Sequence, residues 1–180
     1  MSYEEKTMKS DKIYEGKIVN LRIDTVELPD KKYSKREIVE HPGSVGIVPI
    51  TEDGSIILVE QFRKPVEKPL LEIPAGKIEI NEEPKETAYR ELIEETGYIA
   101  NNMEYIFEFY TSPGFSTEKI YLFLATGLQP GEKNPDENEY IEIKKIKIDN
   151  LIKMINRGEI NDSKTIISIF FAEKYINRKR

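Results

Sequence analysis

Apolar and polar side chains alternate through IYEGKIVNLRIDTVEL (13–28) and again through YSKREIVE (33–40), with LPDKK between them. A period of two predicts strands, and the break at LPDKK predicts the turn that joins them into a small N-terminal β-element. VGIVPI (45–50) and SIILVEQF (55–62) are different in kind: both are nearly unbroken apolar runs. They flank TEDG, where Gly54 suits a positive φ, and so predict a hairpin of buried strands.

The pattern then changes. LLEIPAGKIEINEEPKETAYRELIEETGY starts as an apolar run that ends at Pro74-Ala75-Gly76, crosses a polar loop and enters a stretch with helical spacing. Pro84 suits a first helical turn and Gly97 the position just past the end, which predicts a helix over 84–96. Strands are predicted at 103–110 and 119–126, separated by the turn-rich TSPGFSTE, and another at YIEIKKIKI. Asp149 or Asn150 is expected to cap a helix LIKMINRG, and Asp162 or Ser163 a final helix through about residue 176. Strands and helices mixed in this way favour an α/β layered domain with a mixed sheet.

Composition narrows the function classes. The chain has 180 residues, 38% hydrophobic and 33% charged, a soluble profile that accommodates one main domain. A net charge of −6 argues against a large nucleic-acid footprint. The absence of cysteine excludes disulfides, thiolate zinc sites and a cysteine nucleophile. MSYEEKTMKSDK lacks the apolar core of a signal peptide, and no run approaches the roughly 20 apolar residues of a membrane span, so a cytoplasmic protein without membrane partners is expected.

Candidate chemistry gathers on the predicted helix. At about 100° per residue, Glu95 falls about 40° and Glu94 about 300° from Glu91, so three carboxylates share one arc. That arc borders the apolar stripe containing Ala88 and Leu92, which places Glu91 and Glu95 at the edge of the buried face. Like charges at such spacing repel, and a hard divalent cation with carboxylate ligands would resolve the conflict. A solvated acidic helix face is the alternative reading of the octet RELIEETG taken alone.

The full spacing decides between them. Gly76, Glu82, Arg90-Glu91-Leu92, Glu94-Glu95 and Gly97-Tyr98 fill every fixed position of G-x5-E-x7-R-E-U-x-E-E-x-G-U, where U is a bulky apolar residue. The chain here resembles the Nudix hydrolase family. The resemblance implies an α/β/α sandwich with a mixed sheet over 43–180, preceded by the β-element 1–42. It also implies Mg²⁺, with Mn²⁺ as the alternative, held by Glu91, Glu94, Glu95 and the Ala75 carbonyl. Glu82 and Arg90 would keep loop and helix in register, with the arginine buried, and Gly76 would let the backbone turn. The implied reaction is hydrolysis of a diphosphate linked to another group by activated water, without a covalent nucleophile.

The flanks VEQFRKP, LLEIPAGKIE and YTSPGFSTE, with Pro113, resemble the ADP-ribose pyrophosphatase branch of that family. The tryptophan-containing array of the NADH-cleaving branch is absent, since the chain has no tryptophan. Resemblance to this branch implies that Arg63 contacts the pyrophosphate, that Glu72 lies beside the site, and that Pro113 belongs to the substrate region. It further implies a homodimer exchanging N-terminal strands, so that Arg36 and Glu40 reach the ADP-ribose of the partner subunit; plain surface solubility is their alternative role. Glu137 or Glu139, in PDENEYIEI, would be the general base. The lone His41, beside Pro42-Gly43, is assigned a structural role. Another nucleoside diphosphate sugar as substrate, or a sensor that binds a nucleotide metabolite without cleaving it, are the alternatives to ADP-ribose hydrolysis.

Overall fold

The computed structural model describes residues 3–132 and 140–179. The chain separates into two compact units, Met1–Gly43 with Phe109–Lys119, and Ser44–Glu108 with Ile120–Arg180.

The first unit is an antiparallel meander of β1 (Lys6–Glu15), β2 (Asn20–Glu27) and β3 (Tyr33–Glu40), in that order across the sheet. The single strand expected over 13–28 is in fact interrupted. Gly16 N–H donates to the Val19 carbonyl at 3.1 Å and to Asn20 Oδ1 at 3.2 Å, closing a turn. A β-carbon there would lie 2.6 Å from the Tyr14 ring and 3.0 Å from the Val19 carbonyl oxygen, so a larger residue would require a shift of this turn or of the Tyr14 side chain. The strand before the turn begins well upstream of Ile13, and its first part, KTMKSDK, shows no apolar alternation because every side chain of β1 is exposed. Its order comes from backbone pairing with β2, not from a buried face. In the same unit, Val39 N–H donates to the Phe115 carbonyl at 2.8 Å and Thr117 N–H to the Val39 carbonyl at 2.9 Å, which ties residues 109–119 to β3.

The second unit contains β4 (Ser44–Pro49), β5 (Ser55–Arg63), β6 (Lys68–Glu72), β7 (Ala75–Lys77), α1 (Pro84–Thr96), α2 (Ile148–Asn156) and α3 (Ser163–Lys179). It also holds β10 (Ile141–Lys147) and most of β8 (Tyr98–Tyr110) and β9 (Lys119–Pro130). Strands β7-β4-β9-β8 form one sheet, mixed because β4 and β9 run parallel; β10-β5-β6 form a second, antiparallel one. The expected β4–β5 hairpin is therefore wrong. The two strands enter different sheets, joined by an isolated Ile50–Ile56 bridge and by a turn in which Gly54 has a φ of 72°. Strands buried on both faces advertise burial and say nothing about which neighbour they pair with.

Helix α1 has the expected bounds. Pro84 stands in its first turn, Glu83 N–H donates to Glu86 Oε2, and Gly97 closes it at a φ of 69° with its N–H on the Ile93 carbonyl at 2.8 Å. Its inner face, Ala88 and Leu92, packs with Val45 and Ile47 of β4, Ala100 and Met103 of β8, and Phe123 and Ala125 of β9. Burying Leu92 alone contributes about 1.5–3 kcal/mol. Helix α2 begins at Ile148, so Asp149 sits inside its first turn and not at the cap. Helix α3 is capped by Asp162, whose Oδ2 accepts the Thr165 N–H at 3.0 Å.

Candidate active site

Strand β7 is too short to bury a face of its own, and it is held in place by pairing with β4: Ala75 lies opposite Gly46 and Gly76 opposite Val45. Pro74, just before it, accepts the Ile47 N–H at 2.9 Å. The backbone of residues 74–76 is thus a fixed rail beside α1.

The acidic face of α1 closes onto this rail. Glu95, only 4% exposed, accepts the Ala75 N–H on Oε2 at 3.0 Å. The Glu91 carboxylate packs directly over Gly76: a β-carbon added there would lie 1.8 Å from Glu91 Cδ. Gly76 is absent from the residues with positive φ, so its role differs from the expected one of turning the backbone. It is needed for close approach, because only a residue without a side chain leaves room for the carboxylate.

Arg90 organises the rest. Its Nε and Nη2 donate to the two oxygens of Glu82, each at 2.9 Å, while Nη1 donates to Glu91 Oε1 at 2.8 Å and Glu94 Oε2 at 2.9 Å. One guanidinium therefore serves three carboxylates, and it is about a third exposed, not buried as expected. The bond from Arg90 holds the Glu82 carboxyl at about 2, well below its ordinary value. The same bond, with Glu91 and Glu94 adding to it, raises Arg90. Burial grades along the helix, from Glu95 through Glu91 at 13% to Glu94 at 31% side-chain exposure. This is the desolvation at the border of the apolar stripe that the helix wheel predicts.

A second cluster lies on the strand leading to the rail. Arg63 donates through Nε to Glu72 Oε1 at 2.7 Å and through Nη2 to Oε2 at 2.8 Å. Lys164 from α3 also donates to Glu72 Oε2, and its ammonium lies 3.1 Å from Asp162 Oδ2. Burial would raise the Glu72 carboxyl, but the bond from Arg63 and the charge of Lys164 overcome it, and the net shift is downward. Arg63 is raised, first by its bond to Glu72, with Glu95 and Asp162 close enough to add to the effect. Lys164 and Thr165 had no signal in the sequence, because their partners Glu72 and Ile73 lie 92 residues away, whereas Asp162 was visible as a cap candidate and meets Thr165 and Lys164 locally.

Arg36, Glu40 and Pro113 belong to the first unit. Arg36 is engaged by Glu5, at 2.8 Å and 2.5 Å, and by Ser34 at 2.8 Å, while Glu40 lies 3.3 Å from Arg22. Pro113 occupies the turn in which Phe115 N–H donates to the Ser112 carbonyl. His41 accepts the Gly43 N–H on Nδ1 at 3.1 Å, a local turn contact. Glu137 and Glu139 lie outside the described residues.

The donor set of the α1 face is oxygen only, which suits a hard divalent cation and not a soft one. Among the described residues no three acidic or histidine side chains converge as a ready-made cage. Arg90 bridges Glu91 and Glu94, so a cation would have to draw these carboxylates from the guanidinium. The residues fit such an ion in kind, and the bridging arginine occupies the charge that the ion would take over.

Comparison with known proteins bears on this geometry. Residues 40–167 match the family model described as NUDIX domain. The chain is 46% identical over 174 residues to the ADP-ribose pyrophosphatase of Bacillus subtilis strain 168, spanning 96% of this chain and 94% of that one. It is also 46% identical over 173 residues to a protein of Bacillus methanolicus named methanol dehydrogenase activator, spanning 95% and 94%. A crystal structure of an ADP compounds hydrolase matches with a TM-score of 0.87 over 99% of this chain and 98% of its own, at 20% identity, a likeness of fold.

Proposed function

The chain belongs to the Nudix family, and from that premise we propose that it hydrolyses the pyrophosphate bond of ADP-ribose to give AMP and ribose 5-phosphate. The observation that supports this most directly is the seating of two helix carboxylates, Glu91 and Glu95, on the Ala75-Gly76 rail, with the Arg63 cation bonded to Glu72 on β6, three residues before Ala75. Hydrolases of this family generally require a divalent metal. We take it to be Mg²⁺, with Mn²⁺ as the alternative, held by Glu91, Glu94, Glu95 and the Ala75 carbonyl. When bound, such an ion screens phosphate charge and lowers the pKa of a coordinated water.

The chain's own groups do the rest. Arg63 offers a planar donor fork to the diphosphate, for which arginine is chemically suited. Arg90 and Glu82 keep helix and preceding loop in register. Glu137 or Glu139 accepts the proton of the attacking water. Arg36, Glu40 and Pro113 complete the substrate contacts, the first two across a homodimer, so that they meet the substrate of the partner subunit. Supporting the dimer, β1 leaves Met8, Ile13 and Tyr14 in solvent along a strand with no buried side chain. Among the described residues no helix is long and apolar enough to cross a membrane. We place the enzyme in the cytoplasm, with which its cysteine-free composition agrees.

The test is a side-by-side assay with Mg²⁺ of ADP-ribose, ADP-glucose, GDP-mannose and a nucleoside triphosphate. AMP release with the highest kcat/KM on ADP-ribose is expected. A preference of about tenfold or more for another sugar nucleotide would move the assignment to that substrate. Calorimetric binding without product would make the protein a sensor.

A further inference from the structure

Glu72 is almost fully buried, and Arg63 alone suffices to neutralise it. Lys164 is a second cation at this carboxylate, and burying a charge is expensive unless it is paired and hydrogen-bonded. Its other partner is Asp162, so the cluster contains two cations and two anions. Within that balanced set Arg63 is the most exposed, at 40% side-chain exposure against 16% for Asp162, 12% for Lys164 and 2% for Glu72. Arg63 meets Glu72 side-on through Nε and Nη2, which places Nη1 at the opposite corner of the fork.

We propose that Lys164 is a positioning residue for substrate binding: by gripping the Glu72 carboxylate it fixes the acceptor on which Arg63 is seated, and so aims the remaining Nη1 corner of the guanidinium at the diphosphate group. The inference rests on the ADP-ribose reading above and adds a residue of α3 to it. A carboxylate held from a second side has less freedom to follow the guanidinium, so the Arg63 fork keeps one orientation when an anion arrives. The geometry also ties α3 to the strand mechanically, since Thr165 Oγ1 accepts the Ile73 N–H at 2.9 Å, one residue along from Glu72.

The experiment measures kcat and KM for ADP-ribose with Mg²⁺ in wild type, K164M, K164Q, K164R, R63A and the double variant R63A/K164M, with thermal melts of each. K164M and K164Q should raise KM about tenfold, equivalent to about 1.4 kcal/mol. Their kcat should stay within about twofold of wild type, the pattern of lost uniform binding. K164R should restore KM, and K164M should add nothing to R63A, because it acts through Arg63. If K164M does not fold, K164Q decides, since it keeps a hydrogen-bond donor beside Glu72. An unchanged KM in the folded glutamine or methionine variant, or full additivity with R63A, overturns the proposal while leaving the ADP-ribose reading intact. A wild type that releases no AMP from ADP-ribose sinks that reading, and this inference with it.

Discussion

Two ion clusters in the second unit are built on opposite plans. Around Arg90, one cation serves Glu82, Glu91 and Glu94, with Glu95 a turn further along the helix. Around Glu72, two cations meet two anions. The first has more negative charge than its arginine can balance; the second is balanced, and its Arg63 is the most exposed member. An excess of carboxylate at the border of a packed face is a standing demand for positive charge, and a balanced set is a frame that makes no such demand. The difference separates the part of the site suited to receive a cation from the part that holds Arg63 in place.

The sharpest way to break this contrast is to remove an acid from the anion-rich cluster. E95Q loses a buried carboxylate of the donor set while keeping its size. AMP release from ADP-ribose should fall by about a thousandfold, as expected when several kcal/mol of metal-derived stabilisation is lost. The melting temperature should hold, because repulsion among the acids is relieved. Turnover within a few-fold of wild type would mean that this cluster is not where the chemistry happens.

A smaller effect is expected from G76A, which leaves every charge in place and displaces only Glu91. Overpacking of this kind destabilises by about 1–3 kcal/mol. Misplacing a reactive group by about an ångström can reduce activity by about a hundredfold. Loss of activity without a comparable loss of folded protein at assay temperature is the expected result; retention of full activity would show that Glu91 can relocate freely.

The smallest effect concerns Glu82. Its carboxyl lies at about 2 in the folded protein against an ordinary value of 4.5, a depression caused first by its bond to Arg90. A depressed carboxylate stabilises the fold above its unfolded pKa, and that stabilisation is lost as pH falls from about 4.5 to about 2. Melts of wild type and E82Q should differ near neutrality and converge toward pH 2. A gap that persists at the acid end would place the effect of Glu82 elsewhere than in its charge.

Helix α1 and its acids were legible in the sequence because every cue is local: Pro84 and Gly97 mark the ends, and the wheel alone orders Glu91, Glu94 and Glu95 by burial. Position 76 was legible as glycine but misread as a turn, since close approach by a side chain 15 residues ahead leaves no local trace. The partners of β4 and β5 were illegible for the reason that made their burial obvious: uniform apolarity fits any interior neighbour. Strand β1 had the reverse problem, being fully exposed and held by backbone bonds that no side-chain pattern encodes. Lys164 and Thr165 could not be paired with Glu72 and Ile73 without the fold, because 92 residues separate the partners in each case.

That separation has a consequence for how the molecule comes into being. The strand that leads to the glycine rail leaves the ribosome long before the helix that grips it, so the rail's support must wait for 92 further residues. Until residues 164 and 165 emerge, Glu72 has one cation and the Ile73 amide lacks the hydroxyl it will donate to. Such non-local closure is slow relative to helix formation. The nascent protein can therefore possess its acidic helix while still lacking the frame that gives the helix something to work against.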